Sequence, residues 1–84
     1  MGIYKHFKGD FYFKLLNARD CDSLKEYAVY ISLQKKGSFQ VGQGWLRLLT
    51  QFNDIHPVAN VNRLRKLSFG ESVLFLLGLK KFIK

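Results

Sequence analysis

Tyr27-Ala28-Val29-Tyr30-Ile31-Ser32-Leu33-Gln34 is the stretch on which the fold turns. Tyr27, Val29, Tyr30 and Ile31 are β-branched or aromatic, and no Gly or Pro interrupts the run, so residues 27–34 read as a strand. Side chains alternate along a strand, which puts Val29, Ile31 and Leu33 on one face and Tyr30 and Ser32 on the other. Upstream, residues 10–17, Asp-Phe-Tyr-Phe-Lys-Leu-Leu-Asn, are aromatic-rich without helical spacing and read as a second strand. The polar connection 18–26 holds Asp20, Asp22 and Ser23, whose side chains bond nearby backbone and close a turn.

Downstream, Lys35-Lys36-Gly37-Ser38 is a turn with Gly where a positive φ costs little. Phe39 and Val41 alternate with Gln40 as a short strand would, and Gly42-Gln43-Gly44 then bends the chain. Residues 45–49 are strand-like, with Trp45, Arg47 and Leu49 on one side. Thr50 to Asp54 reads as a turn, ended by His56-Pro57 because Pro holds its predecessor extended. Residues 61–67 alternate again, with Val61, Arg63, Arg65 and Leu67 opposite Asn62, Leu64 and Lys66. Basic side chains on both faces suit an edge strand that resists further pairing.

The last segment changes character. Ser68-Phe69-Gly70-Glu71 has the spacing of a capping box. Val73 to Leu77 is apolar, and Lys80, Lys81 and Lys84 complement the dipole at a helix end. The pattern predicts a helix over 69–83, although Gly78 weakens it and the apolar run also fits a buried strand. Five short strands with tight turns in under 70 residues predict a small curled barrel over 1–67. The segment 68–84 is then a helical appendage, packed on the barrel or at an interface.

Eighty-four residues allow one core, and 48% hydrophobic with 24% charged residues describes a globular chain. The net charge of +8 admits nucleic acid, a nucleotide, an anionic membrane surface or an acidic protein as partner. It is unevenly spread: residues 1–56 hold eight Lys/Arg and five Asp/Glu, a net +3, whereas 57–84 hold six and one, a net +5. The single cysteine, Cys21, excludes an intrachain disulfide, and with two His it cannot complete a structural zinc site. The N-terminus lacks the apolar core of a secretory signal, and His6 stands where a myristoylation signal wants Ser or Thr. The longest apolar run, Val73 to Leu77, is far short of the roughly 20 residues that span a bilayer, so a cytoplasmic location is expected.

Tyr4-Lys5-His6-Phe7-Lys8-Gly9, Tyr12, Ala18-Arg19, Glu26, Val29-Tyr30, Trp45-Leu46-Arg47, Leu49 and Phe52 follow one another in a familiar order. Over residues 3–52 the chain resembles a family of short bacterial and phage proteins, a domain of unknown function with an SH3-like barrel fold. The opening His-Phe-Lys-Gly and the Trp-x-Arg are its specific parts, and Arg63-Leu64-Arg65 matches more weakly as a closing strand. The resemblance implies that the barrel is SH3-like and mainly β; residues 68–84, read above as the C-terminal α-helix, have no counterpart in it, and it brings no established activity. Two positions depart from the pattern. Asp20 stands where the family has His, and Leu48 where it has Pro.

The candidate ligand-binding group is His6, Lys8, Tyr30, Trp45 and Arg47. Lys8 and Arg47 suit phosphate or carboxylate, Arg47 through a bidentate fork. Tyr30 and Trp45 offer stacking faces, and His6 a donor or an acid/base near neutral pH. Each has a structural alternative: Trp45 as core, Arg47 along Trp45 or paired with Asp20 or Glu26, His6 as a local hydrogen-bonding residue, Lys8 as a solvated turn lysine, Tyr30 as half-buried packing. Catalysis has little support. Asp20, Asp22 and Glu26 read as solvated carboxylates, and Asp20 and Asp22 would raise rather than lower the pKa of the thiol between them. No Gly-rich phosphate loop follows a strand, and no cofactor or metal is expected.

Leu74, Phe75, Leu77 and Phe82 form a second candidate surface, an apolar helix face for a membrane, a partner or a homodimer, with packing on the chain's own barrel as the structural alternative. The expected function is a non-enzymatic binding module for an anionic ligand, nucleic acid or a nucleotide. A phage-encoded protein that sequesters a nucleotide signal or blocks a host defence factor fits the size and charge. The second expectation is a protein–protein interaction module, or a homodimer, working through the C-terminal helix.

Overall fold

The computed structural model describes residues 2–53 and 63–83. Strand β3 (Glu26–Ser32) grows from the aromatic and β-branched run and sits inside a single five-stranded antiparallel sheet. The other strands are β1 (Gly2–His6), β2 (Phe11–Arg19), β4 (Gly44–Leu48) and β5 (Leu64–Lys66), in the spatial order β4-β3-β2-β1-β5. The chain thus meanders through four strands and returns to lay the fifth beside the first. A short helix α1 (Leu49–Phe52) leaves β4; α2 (Phe69–Leu76) and a 3-10 turn (Lys80–Phe82) follow β5.

The expected strand count is found, but not strand for strand. Residues 2–6, given no element from the sequence, form β1, whereas 39–41 form none. Phe39 folds back on Lys36, each backbone N–H bonded to the other's carbonyl at 2.9–3.0 Å across Gly37-Ser38. Gly37 supplies the expected positive φ, 57°. Residues 49–52 are helical, where Leu49 reads from the sequence as the end of a strand and Thr50 as the start of a turn. The predicted ending at His56-Pro57 and the first two residues of the 61–67 strand lie outside the described residues.

Register assigns the two faces of the sheet. Tyr4 lies opposite Tyr12, Lys14 opposite Tyr30, Tyr30 opposite Trp45, Ala28 opposite Arg47, and His6 opposite Leu64. These residues share the inner face, where Ala28, Tyr30, Phe52 and Leu64 are buried and Tyr4, Tyr12, Trp45 and Leu49 pack against them. The buried side of β3 is therefore Ala28, Tyr30 and Ser32, and the aliphatic Val29 and Ile31 are only half-buried. A bulge between Lys14 and Leu16 shifts β2 by one residue and sets Leu16 opposite Val29 on the outer face.

The C-terminal segment covers part of that outer face. Phe11, Leu67 and Ile83 are buried together, with Ile3, Leu33, Leu74 and Phe75 against them. The capping box forms as read: Ser68 Oγ accepts from the Glu71 N–H at 3.2 Å and Glu71 Oε1 accepts from the Ser68 N–H at 3.0 Å. The helix does not reach residue 83. Gly78 adopts φ 77°, its N–H bonds Phe75 O and the Leu79 N–H bonds Leu74 O, which closes α2 as a left-handed cap. Lys80 and Lys81 consequently fall in the 3-10 turn instead of the last turn of the helix.

Candidate functional site

Three backbone segments meet at one end of the inner face. The β1–β2 turn is closed by His6 N–H to Asp10 O at 2.7 Å and Gly9 N–H to His6 O at 2.8 Å. The turn at 36–39 is tied to it by the Lys36–Asp10 ion pair at 2.6 Å. The start of β5 joins through Phe7 N–H to Arg63 O at 3.1 Å. Between them lie two adjoining clefts with a common floor of Tyr12, Tyr30, Lys36 and Arg47.

The first cleft, about 250 Å³, adds His6, Phe7, Lys8, Arg63 and Leu64 to that floor. The second, about 440 Å³, adds Gly37, Ser38, Phe39 and Trp45. The five residues singled out from the sequence are thus brought together: His6 and Lys8 in one cleft, Trp45 in the other, Tyr30 and Arg47 shared by both.

Arg47 projects inward from β4, half-buried, and its Nε donates to the Tyr30 hydroxyl at 3.2 Å. Neither Asp20 nor Glu26 meets it. Asp20 Oδ1 is taken by the Asp22 and Ser23 N–H groups in the β2–β3 turn, and Glu26 lies 3.9 Å from Arg19. That turn is at the far end of β2 from the cleft, so Asp20 takes no part in it. The Arg47 Nη amines keep their donors, with no carboxylate in ion-pair range among the described residues.

Tyr30 is buried rather than half-buried, at 5% exposure. Its ring meets Tyr12 edge-on at 5.3 Å and Phe52 at 5.3 Å. Trp45 serves core and cleft together. It packs against the inner cluster, donates Nε1–H to the buried Ser32 hydroxyl at 2.8 Å, and meets Phe39 edge-on at 4.9 Å. Lys8 is exposed, its Nζ 5.8 Å from the Phe7 ring centroid.

His6 ends β1, and its Nδ1 accepts the Lys8 N–H at 3.2 Å, a local hydrogen bond. A neutral imidazole bonded this way carries its proton on Nε2. Burial holds the His6 pKa below its ordinary value, and the neighbouring Arg47, Lys36 and Lys8 charges push the same way against Asp10. Burial, with Asp10 behind it, raises the Tyr12 pKa, so its phenol stays protonated near neutral pH. The site is therefore a nest of cations and hydrogen-bond donors over aromatic walls.

Sequence reasoning missed Tyr12, Lys36, Phe39 and Arg63 as cleft residues. Tyr12 carried a signal, two residues after Asp10 in a strand that alternates toward the same face. Lys36 and Phe39 carried none, because a turn's position over a sheet depends on long-range packing. Among the described residues no three His, Cys, Asp or Glu side chains converge as a metal site, and no helix is long and apolar enough to cross a membrane.

The interface candidates divide. Leu74 and Phe75 point inward, Phe75 with its ring 4.8 Å from that of Phe11. Leu77 and Phe82 face solvent at 67% and 61% exposure. Cleft and C-terminal segment occupy opposite faces of the sheet.

The family described as Protein of unknown function (DUF1653) matches residues 2–66. That span covers all five strands and both clefts; α2 and the 3-10 turn lie beyond it. No curated protein and no solved structure matches the chain.

Proposed function

The chain belongs to this family of proteins of unknown function, so its role is read from its own cleft, and we propose that it is a non-enzymatic binding module for an anionic ligand of the nucleotide or nucleic-acid class. One observation carries the reading: Arg47 is held by Tyr30 at the centre of a cation-lined cleft, with no carboxylate in ion-pair range among the described residues. A guanidinium in that state is a preformed receptor for phosphate oxygens. The aromatic rings beside it suit bases. Among the described residues no nucleophile–base pair lines the clefts, which is why binding is proposed rather than catalysis.

The test is a titration with single-stranded oligonucleotides and a nucleotide panel at low salt. Affinity should fall as salt rises, since neutralised phosphates release counterions. Arg47→Ala should weaken binding by about 1.5–3 kcal/mol, the scale of a hydrogen bond to a charged group. It should cost only about 1 kcal/mol of stability, because one part-buried hydrogen bond, to the Tyr30 hydroxyl, is lost. Absence of binding across the panel overturns the reading.

A second reading rests on a different surface. Phe69, Leu76, Leu77 and Phe82 are exposed around α2 and the 3-10 turn, which suits docking to a protein or a second copy. Leu77→Glu with Phe82→Glu should then abolish a dimer seen by sedimentation, and a chain monomeric before and after the change would sink this reading.

A further inference from the structure

The two clefts differ in chemistry. Lys8, Lys36, Arg47, Arg63 and His6 crowd the smaller one, whereas Phe39 and Trp45 wall the larger, beside the Tyr12–Tyr30 floor. The geometry points to a two-part ligand: one phosphate group in the cationic cleft and one aromatic base in the Phe39–Trp45 cleft, that is, a single nucleoside monophosphate unit. This deepens the anion-binding reading and rests on it.

Three features favour one unit over a longer strand. First, the cations converge: Lys8, Lys36, Arg47 and Arg63 line one cleft of about 250 Å³ together with His6. A strand would want them strung along a groove. Second, Arg47 and Tyr30 line both clefts, so one guanidinium reaches a phosphate on one side and a base or sugar edge on the other. Third, the rings of Phe39 and Trp45 stand at 73° with centroids 4.9 Å apart, forming a corner and not a platform. A corner takes one base, stacked on one ring with its edge to the other. Phe39 is 46% exposed, so its ring has surface to offer. The larger cleft, about 440 Å³, is of ligand-pocket size, roughly 300 Å³ upward.

The experiment compares inorganic phosphate, a nucleoside, the matching nucleoside monophosphate, and an oligonucleotide with and without a 5′-phosphate, by calorimetric or fluorescence titration. The monophosphate should bind at least tenfold tighter than phosphate or nucleoside alone. Phe39→Ala and Phe39→Leu should each cut monophosphate affinity roughly fivefold or more, the scale of one lost base–aromatic stack, and leave phosphate affinity unchanged. The Leu variant keeps an apolar side chain in the turn, so it separates ring loss from misfolding. Arg47→Ala should weaken phosphate and monophosphate binding alike, by about tenfold or more. If the 5′-phosphorylated oligonucleotide binds like the free monophosphate and the hydroxyl-ended one does not, the unit is read at a strand end; if only the free monophosphate binds, it is a free nucleotide. Equal affinities for phosphate and monophosphate, or no effect of either Phe39 variant, would overturn the two-part ligand and leave the anion cleft standing. Tighter binding of the hydroxyl-ended oligonucleotide also overturns it, in favour of a strand. No binding of any probe overturns the anion cleft itself.

Discussion

Two residues set the chemistry of the cleft, and each can be perturbed without dismantling it. Tyr30 holds Arg47 through its hydroxyl while its ring belongs to the core. Tyr30→Phe keeps the ring and removes the acceptor. It should cost about 1 kcal/mol of stability, the net value of one hydrogen bond. It should weaken anion binding less than Arg47→Ala, because the charge remains and only its aim is lost; denaturant unfolding and the same ligand titration measure both. His6 reports on the cleft through its proton. The folded chain disfavours the imidazolium, whereas the unfolded chain takes the proton near pH 6.5. As pH falls through 6.5 toward the lower folded pKa, the unfolded state binds more protons and native stability drops; above 6.5 it is fully present. His6→Gln should flatten that part of the stability–pH curve. A bound anion opposes the Arg47, Lys36 and Lys8 charges, so saturation with ligand should raise the His6 pKa in an NMR titration. An unmoved titration would place the ligand elsewhere.

At the scale of elements, α2 is the part whose attachment is most sharply defined. Glu71 closes the capping box and also accepts from Arg65 Nη1 at 2.9 Å, which ties the helix start to β5. These contacts, Arg65 first and the Ser68 N–H second, hold the Glu71 carboxyl down at about 2. Its contribution is present above the unfolded value near 4.5 and is lost as pH falls from there toward 2. Glu71→Gln should remove the acid sensitivity in that window. Ser68→Ala should cost about 1 kcal/mol at neutral pH, as N-cap losses do; thermal unfolding at both pH values checks the pair. This capping box was legible because it is local, a hydroxyl and a carboxylate three residues apart. The β3 strand was legible for the same reason. The inward face of residues 16–19 was not, because the Lys14–Leu16 bulge reverses the alternation and no single residue announces it. Strand β1 hid because Lys5 and His6 interrupt its apolar pattern, and because its partners, β2 and β5, come later in the chain. The cleft was half legible: the inward residues of strands follow from type and parity, whereas Lys36 and Phe39 arrive on a turn that Asp10 anchors.

Across the whole molecule, basic side chains of the described residues gather both at the cleft and at the C-terminal turn, and that separation distinguishes a built site from a diffuse field. Lys8, Lys36, Arg47 and Arg63 line the cleft. Lys80 and Lys81 belong to the 3-10 turn, whose neighbour Ile83 is buried against Phe11 and Leu67 on the outer face. In about 0.1 M salt the screening length is roughly 10 Å, so exposed charges across the sheet contribute little to a ligand held in the cleft. Lys80→Gln with Lys81→Gln should therefore leave nucleoside monophosphate affinity within about twofold of the parent chain. Lys8→Gln removes the same kind of charge from the cleft rim and should weaken it more, although it lowers the net charge by less. Both can be read from one set of titrations at fixed ionic strength. If the two C-terminal substitutions weaken binding in proportion to the charge they remove, the ligand responds to the molecule's overall field and the convergence around Arg47 carries no specificity.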